Sequence, residues 1–177
     1  GAVSLQYQSL PETRLWLGIS YQVLRDEFYG LPMRPLAGTV NNLIVLLGGD
    51  DPLSLMARLA PRLDVIAGEM RPPVQVEIIC GPYAQMPNTD GLLHVKATRH
   101  PVNLRERMYA ADLALSASGQ TLYELASCGT PTIAFCTGED QAANLAALSE
   151  EGVTWDAGQA SNPNWIVTVE EAIRTLA

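Results

Sequence analysis

Short runs of apolar residues alternate along the chain with segments in which apolar residues recur every three or four positions. The runs predict strands that are buried on both faces, and the spaced positions predict amphipathic helices. Six strands are predicted, over residues 43–47, 74–80, 92–96, 113–115, 132–135 and 153–155. Strands that alternate with helices indicate an α/β fold, a doubly wound parallel sheet with right-handed crossovers.

Capping residues predict where two of the helices begin. Asp51 followed by Pro52 is typical of an N-cap and first-turn pair, and it precedes a helix with a leucine-rich face. Thr168 and Glu171 have the spacing of a capping box, which predicts that the last helix begins there.

Residues 112–141 form the most informative stretch of the chain. A strand ends in the small polar residues 116–119, a helix follows, and Gly129 and Pro131 end that helix, with Gly129 expected in the left-handed conformation. The next apolar run completes a βαβ unit. In such a unit the helix N-terminus lies at the carboxyl end of a parallel strand, where its free N–H groups favour an anion, usually phosphate.

The residues of this turn exclude a metal-triphosphate site and do not indicate a dinucleotide. A metal-triphosphate loop needs Gly-Lys-Ser/Thr, but the chain has Gly119-Gln120-Thr121, and its only lysine is Lys96. The Gly-x-Gly-x-x-Gly spacing of dinucleotide sites is also missing. Glu124 follows one turn into the helix, where a carboxylate suits two ribose hydroxyls better than phosphates. These residues suggest a nucleoside diphosphate.

The composition argues against two classes of binding partner. The chain has 177 residues, which suits one α/β domain, and a net charge of −8, so neither nucleic acid nor an anionic membrane is an expected partner. The sequence shows no membrane span and no signal-peptide pattern, and we expect a cytoplasmic protein. The chain opens Gly1-Ala2 rather than with Met, which suggests a processed form or a piece of a longer protein.

The three cysteines predict no metal site. Cys80, Cys128 and Cys136 lie in or beside apolar stretches and lack metal-ligand spacing, so reduced structural thiols are expected. No cofactor is indicated.

The central stretch resembles the donor-binding signature in the C-terminal half of GT-B enzymes. The resemblance rests on residues 112–125, Gly129, residues 131–134 and Asp140-Gln141. It is strongest to the UDP-sugar hydrolases of pseudaminic acid biosynthesis and to related spore-coat polysaccharide biosynthesis proteins, which have a glycosyltransferase family 28-like C-terminal domain. The peptidoglycan N-acetylglucosaminyltransferase is more distantly similar. That family usually has Gly-Gly-Ser where this chain has Ser118-Gly119-Gln120, and Asn-Gln in place of Asp140-Gln141.

The resemblance implies a domain organisation and a function. Residues 1–38 would be an interdomain connector packed on the domain, and residues 39–177 a nucleotide-sugar-binding Rossmann-like domain. The run 17–28 resembles the segment that leads out of an N-terminal Rossmann domain, which this chain lacks and which carries the family's catalytic base. The implied function is to bind a UDP-sugar as the donor-binding half of a hydrolase that releases UDP. The alternatives are half of an inverting glycosyltransferase and a non-catalytic nucleotide-binding module. The chain alone is expected to be inactive, and its catalytic residues are unknown.

The candidate ligand-binding residues follow the carboxyl ends of the predicted strands. Gly48 and Gly49 let the backbone approach a ligand, and the resemblance places a uracil edge on the backbone of His100 or Val102, because Pro101 has no N–H. It also assigns Gln141 to the sugar, whereas Asp140 is equally suited to a helix N-terminus. The full set is Gly48, Gly49, His100, Val102, Ser118, Gly119, Gln120, Thr121, Glu124, Asp140 and Gln141.

Overall fold

The computed structural model describes residues 10–16 and 18–177. Within them it has six strands and five α-helices. The strands are β1 (Asn42–Leu46), β2 (Gln75–Cys80), β3 (Val95–Arg99), β4 (Leu113–Ala117), β5 (Thr132–Cys136) and β6 (Thr154–Gln159). The helices are α1 (Leu55–Glu69), α2 (Leu104–Ala110), α3 (Gln120–Ser127), α4 (Ala142–Glu150) and α5 (Trp165–Leu176).

The six strands form one parallel sheet in the order β3-β2-β1-β4-β5-β6. The predicted doubly wound parallel sheet is therefore confirmed. The strand order reverses between the adjacent strands β1 and β4, where Leu46 is in register with Ser116. In open α/β sheets, such a reversal leaves a crevice at the carboxyl ends of the strands, and ligands bind there.

Side chains alternate between the two faces of the sheet, and both faces are covered. Leu43 and Val45 of β1 pack with residues of α1 and α5 in one core cluster, whereas Ile44 and Leu46 pack in a second cluster with α2 and α3. The central strands β1, β4 and β5 are almost entirely apolar because both of their faces are buried. The sheet thus holds the ends of β1 and β4 rigidly in place.

The third strand begins later than its apolar pattern predicts. The Oδ1 atom of Asp64, on α1, accepts hydrogen bonds from the backbone N–H groups of Leu93 (2.9 Å) and His94 (2.6 Å). These bonds hold residues 93–94 in a bend, so β3 starts at Val95 and His94 precedes it. The prediction that the strand covers 92–96, with His94 inside it, is wrong.

Both predicted helix starts need correction. The last helix begins at Trp165, which is buried, so Thr168 lies inside it and the capping box is wrong. The first helix begins at Leu55 rather than at Pro52, which lies in the preceding turn. The carboxylate of Asp51 still caps this helix, because it accepts hydrogen bonds from its first two N–H groups.

Residues 18–38 lie against α2 and α3. The side chain of Phe28 is fully buried in the core cluster beneath these helices. The guanidinium of Arg34 donates hydrogen bonds to the carbonyl groups of Tyr109 and Ala111, and the Ser127 hydroxyl donates to the carbonyl of Phe28 at 2.5 Å. These contacts fasten residues 28–34 to the ends of α2 and α3, at the amino edge of the sheet.

Candidate ligand-binding cleft

A cleft of about 350 Å³ lies beside the point where the strand order reverses. It is bounded by the loops that follow β1, β2 and β3 and by the first turn of α3. Its walls are built by Arg25, Leu46, Gly48, Gly49, Ile79, Cys80, Gly81, Pro82, His100, Pro101, Leu104, Gln120, Thr121 and Glu124. Six of the predicted site residues are therefore in one place: Gly48, Gly49, His100, Gln120, Thr121 and Glu124.

The floor of the cleft depends on a close approach between two loops. A Cβ atom at Gly81 would lie 2.4 Å from the carbonyl oxygen of Gly48 and 2.5 Å from that of Gly49, so only glycine fits there. The N–H of Tyr83 donates to the carbonyl of Gly49 at 3.0 Å and holds the two loops together. Gly48 has a φ of 94°, a backbone conformation that favours glycine.

The N-terminus of α3 forms one wall. Gly119 is its N-cap, and Gln120 and Thr121 are its first residues, so the free N–H groups of the first turn lie beside the cleft. The predicted strand, turn and helix are confirmed here, and Gly129 has the predicted positive φ, 65°. Ser118 does not line the cleft, because its buried hydroxyl donates to the carbonyl of Phe135 at 3.0 Å.

Among the described residues that line the cleft, Glu124 is the only one with a carboxylate side chain. Its side chain is 6% exposed, and its Oε1 atom accepts a hydrogen bond from Nε of Arg25 at 2.8 Å. Burial of a charged carboxylate is costly unless it is paired, and Arg25 supplies the pairing charge. The second carboxylate oxygen, Oε2, gives Glu124 further capacity to accept hydrogen bonds from a ligand.

Arg25 is the cationic partner that reaches the cleft from residues 18–38. Its hydrogen bond to Glu124 raises the pKa of Arg25 against the opposing effect of burial, and the charges of Glu124 and Glu27 raise it further. Its guanidinium also lies 4.8 Å from the ring centroid of Phe28, which is buried. The cleft therefore contains a carboxylate and a guanidinium side by side.

The loop after β3 is strained at His100. This residue has a φ of 38°, which is uncommon for a residue other than glycine, and its N–H donates to the carbonyl of Cys80 at 2.9 Å. That N–H is therefore occupied, although His100 lines the cleft. Val102 is fully exposed and stands outside the wall, where Pro101 and Leu104 lie instead.

Asp140 and Gln141 lie near the end of β5 and outside the cleft wall. Both belong to a short turn, Glu139–Gln141, that precedes α4. The Oε1 atom of Gln141 accepts a hydrogen bond from the N–H of Thr137 at 3.0 Å, and Asp140 is exposed. A separate hollow of about 200 Å³ lies beside them, and its walls include Glu139 and Gln159.

The sequence pattern did not identify Arg25 as a residue of the site. The amide of Gln22 donates to Oε1 of Gln120 at 2.7 Å, and the amide of Gln120 donates to the carbonyl of Val23 at 2.7 Å. Residues 22–25 thus contact α3 at three points, two at Gln120 in its first turn and one at Glu124 in its second. The sequence signal for this segment was the resemblance of residues 17–28 to a segment of the family. That resemblance predicted a connector between domains and did not predict a contact with the ligand site.

Two further properties of the described residues bear on the site. No group of three or more His, Cys, Asp and Glu side chains in residues 10–16 and 18–177 is arranged to hold a metal ion. Within the same ranges no helix is both long and apolar enough to cross a bilayer.

Comparison with known proteins identifies the fold. No family model matches the chain. An uncharacterized protein of Methanocaldococcus jannaschii is 25% identical over 142 residues, which is 73% of this chain and 28% of that protein. The chain therefore spans little more than a quarter of this relative.

Several solved glycosyltransferases have the same fold in one half of their chain. The glycosyltransferase of kitacinnamycin is similar with a TM-score of 0.60 and 18% identity, over 87% of this chain and 38% of that one. MurG of Acinetobacter baumannii has a TM-score of 0.55 and 19% identity, over 79% and 42%. The spinosyn rhamnosyltransferase SpnG, complexed with thymidine diphosphate, has a TM-score of 0.55 and 18% identity, over 77% and 37%. The chain has the fold of the C-terminal half of a GT-B glycosyltransferase and covers less than half of each protein.

Proposed function

We propose that this chain binds the UDP part of a UDP-sugar in the cleft. It does so as the donor-binding half of a UDP-sugar hydrolase that releases UDP in surface-polysaccharide or nonulosonic acid biosynthesis. One observation carries the proposal: the buried carboxylate of Glu124 faces the cleft one turn after the free N–H groups of α3, at the point where the strand order reverses.

The helix start and the carboxylate suit the two parts of a nucleoside diphosphate. The N-terminus of α3 offers N–H donors and a partial positive charge to the diphosphate. Glu124, one turn further, accepts hydrogen bonds from the two ribose hydroxyls. The complex of SpnG with thymidine diphosphate supports this class of ligand.

The uracil would lie toward the loop after β3. His100, Pro101 and Leu104 line that end of the cleft, on the side away from β5. The N–H of His100 is bonded to Cys80, so we assign the base contacts to the carbonyl of His100 and to the backbone of Val102 after a small movement of this loop. Asp140 and Gln141, near the end of β5, lie on the opposite side and would contact the sugar.

Hydrolysis then requires the helix start to stabilise a leaving group. Water forms a bond to the anomeric carbon while the bond from that carbon to the diphosphate oxygen breaks, and UDP leaves with the electron pair. The N-terminus of α3 stabilises the negative charge that grows on the diphosphate. The proton of the attacking water passes to a base, which the family resemblance places on an N-terminal domain.

A second candidate function is transfer of the sugar to an acceptor hydroxyl. It is favoured by the structural neighbours, which are glycosyltransferases. The donor half works identically in the two reactions, because only the attacking group differs. Assaying the product made by the full-length protein in the presence and absence of acceptors distinguishes them.

Calorimetric titration tests the nucleotide assignment. UDP should bind the wild-type chain without magnesium, and Glu124→Ala should weaken UDP by about 1.5–3 kcal/mol, the range for hydrogen bonds to a charged group. The affinity of the same variant for inorganic pyrophosphate, which has no ribose, should fall little. Equal losses for UDP and pyrophosphate would contradict the assignment of Glu124 to the ribose.

A further inference from the structure

The pair formed by Arg25 and Glu124 joins two distant parts of the chain inside the cleft. The two residues are 99 positions apart, and Nε of Arg25 lies 2.8 Å from Oε1 of Glu124. Nη1 of Arg25 lies 2.9 Å from Oε1 of Glu27, on the solvent side of the pair. One guanidinium therefore connects a buried carboxylate in the ligand site with an exposed carboxylate outside it.

Three contacts hold Arg25 in this position. Its guanidinium stacks on the buried ring of Phe28, and the amide contacts of Gln22 and Val23 with Gln120 fix the preceding residues on α3. The carbonyl of Phe28 is itself held by the Ser127 hydroxyl. Arg25 is thus presented to Glu124 by a segment that is bonded to both ends of α3.

The pairing matters because the carboxylate and an anionic ligand would share one small site. The chain has a net charge of −8, and a free carboxylate next to a diphosphate would repel it. A planar guanidinium that donates from Nε restricts the carboxylate to one orientation. With Oε1 held by Arg25, Oε2 is the atom that is available to ribose hydroxyls.

We propose that Arg25 is a positioning residue of the nucleotide site, which holds the carboxylate of Glu124 in the orientation that recognises the ribose. The inference rests on the proposed function, since it concerns how the same cleft selects a nucleoside diphosphate. It adds that Arg25, which lies outside the Rossmann-like domain in sequence, belongs to the ligand site.

The test compares a variant that removes the guanidinium of Arg25 with one that removes only its exposed partner, Glu27. Arg25→Gln should lower the affinity for UDP by about tenfold, the scale of one charged hydrogen bond, and lower the affinity for pyrophosphate much less. Glu27→Gln is the matched control, because it removes the exposed partner of Arg25 and leaves the pair with Glu124 intact. It should bind UDP as the wild type does. Thermal unfolding of both variants shows whether either one is destabilised.

A double-mutant cycle shows whether Arg25 acts through Glu124. In a Glu124→Ala background, Arg25→Gln should cause no further loss of UDP affinity. A full additional loss in that background, or an equal loss for pyrophosphate, would overturn the proposal and show that Arg25 contacts phosphate directly. Equal losses of UDP affinity in Glu27→Gln and Arg25→Gln would also overturn it, because the fold of the segment would then be responsible.

The measurements distinguish an error in the proposed function from an error in the role of Arg25. If the wild-type chain binds no UDP, the nucleotide assignment itself is wrong. If it binds UDP and Glu124→Ala weakens binding while Arg25→Gln does not, only the role of Arg25 is wrong.

Discussion

The carboxylate of Asp51 accepts a hydrogen bond at 2.8 Å from the backbone N–H of Met56, five residues later. Its other oxygen accepts from the N–H of Leu55, also at 2.8 Å. Ser54, which occupies the N-cap position, has a positive φ of 51° and makes no capping hydrogen bond with its side chain. Asp51 therefore accepts hydrogen bonds from the first two N–H groups of α1, and it does so from the loop that forms one edge of the cleft.

We expect Asp51→Ala to destabilise the fold by about 0.5–2 kcal/mol, because two helix N–H groups lose their acceptor. For a chain of this size, the melting temperature should fall by about 2–4 °C for each kcal/mol. Asp50→Ala is the control, since within residues 10–16 and 18–177 the exposed Asp50 carboxylate accepts a hydrogen bond only from the N–H of Asp51. Equal effects in the two variants, measured by thermal unfolding, would rule out a capping role for Asp51.

Replacing Thr121 tests whether a hydroxyl in the first turn of α3 binds the ligand. Among the described residues its hydroxyl makes no hydrogen bond, although the residue lines the cleft. Thr121→Val should lower UDP affinity by about tenfold in calorimetry, and the melting temperature should scarcely change.

A second threonine provides the matched control for this prediction. The buried Thr130 hydroxyl donates to the carbonyl of Met108 at 2.7 Å, away from the cleft. Thr130→Val should lower the melting temperature and leave UDP affinity unchanged, because it leaves a buried carbonyl without its donor. If Thr121→Val behaves like Thr130→Val, the Thr121 hydroxyl serves the fold and not the ligand.

The buried thiols should make the protein sensitive to alkali. Burial, together with the charge of Glu124, raises the pKa of Cys128 from 9.0 to about 11, and burial raises the pKa of Cys80 and of Cys136 as well. Between about pH 9 and 11, the native state keeps protons that the unfolded chain has lost. The free energy of unfolding should therefore be unaffected by these thiols below pH 9 and fall above it, by up to about 1.4 kcal/mol per pH unit for each thiol.

Urea unfolding measured from about pH 8 to about pH 10.5 checks this prediction. The Cys128→Ala variant should show a shallower fall above about pH 9 than the wild type, because one of the three thiols no longer titrates. Parallel pH profiles for the two proteins would show that Cys128 ionises in the native state as it does in the unfolded chain.

The chain alone should release no UDP from a UDP-sugar. Glycosyl hydrolysis needs a base that is positioned on the attacking side of the anomeric carbon. His94 lies before β3, at the amino edge of the sheet, and His100 lies at the end of the cleft that we assign to the uracil. Incubation with a panel of UDP-sugars, followed by a UDP assay, checks this. Release that disappears in Asp140→Asn or His100→Ala would show that this domain carries its own base.

Much of the α/β pattern and the centre of the site are determined by the sequence itself. The apolar runs predict six strands, and residues 112–136 predict the strand, turn, helix and strand that the structure shows. The left-handed Gly129 was predictable because the end of a helix restricts backbone angles locally. The proximity of Glu124 to the N-terminus of α3 follows from helical spacing alone.

The tertiary structure decided which hydrogen-bonding groups are free and which are already used. The N–H of His100 is taken by Cys80, the hydroxyl of Ser118 by Phe135, and the two N–H groups before β3 by Asp64. Each partner is distant in sequence, and no local pattern specifies it. Hydrogen-bonding capacity is a property of the residue, but its use depends on what folding brings within about 3 Å.

The same reason explains why Arg25 was predicted only as part of a connector. Its apolar neighbours indicate a packed segment, but its pairing with Glu124 requires residues 18–29 to lie along α3. That placement depends on the strand order, which sets the ends of β1 and β4 side by side and leaves α3 facing the cleft. Helical spacing in the sequence was enough to place Glu124 next to the start of α3. Only the packing of distant segments decided which guanidinium pairs with it in the cleft, because a contact between residues 99 apart depends on the whole fold.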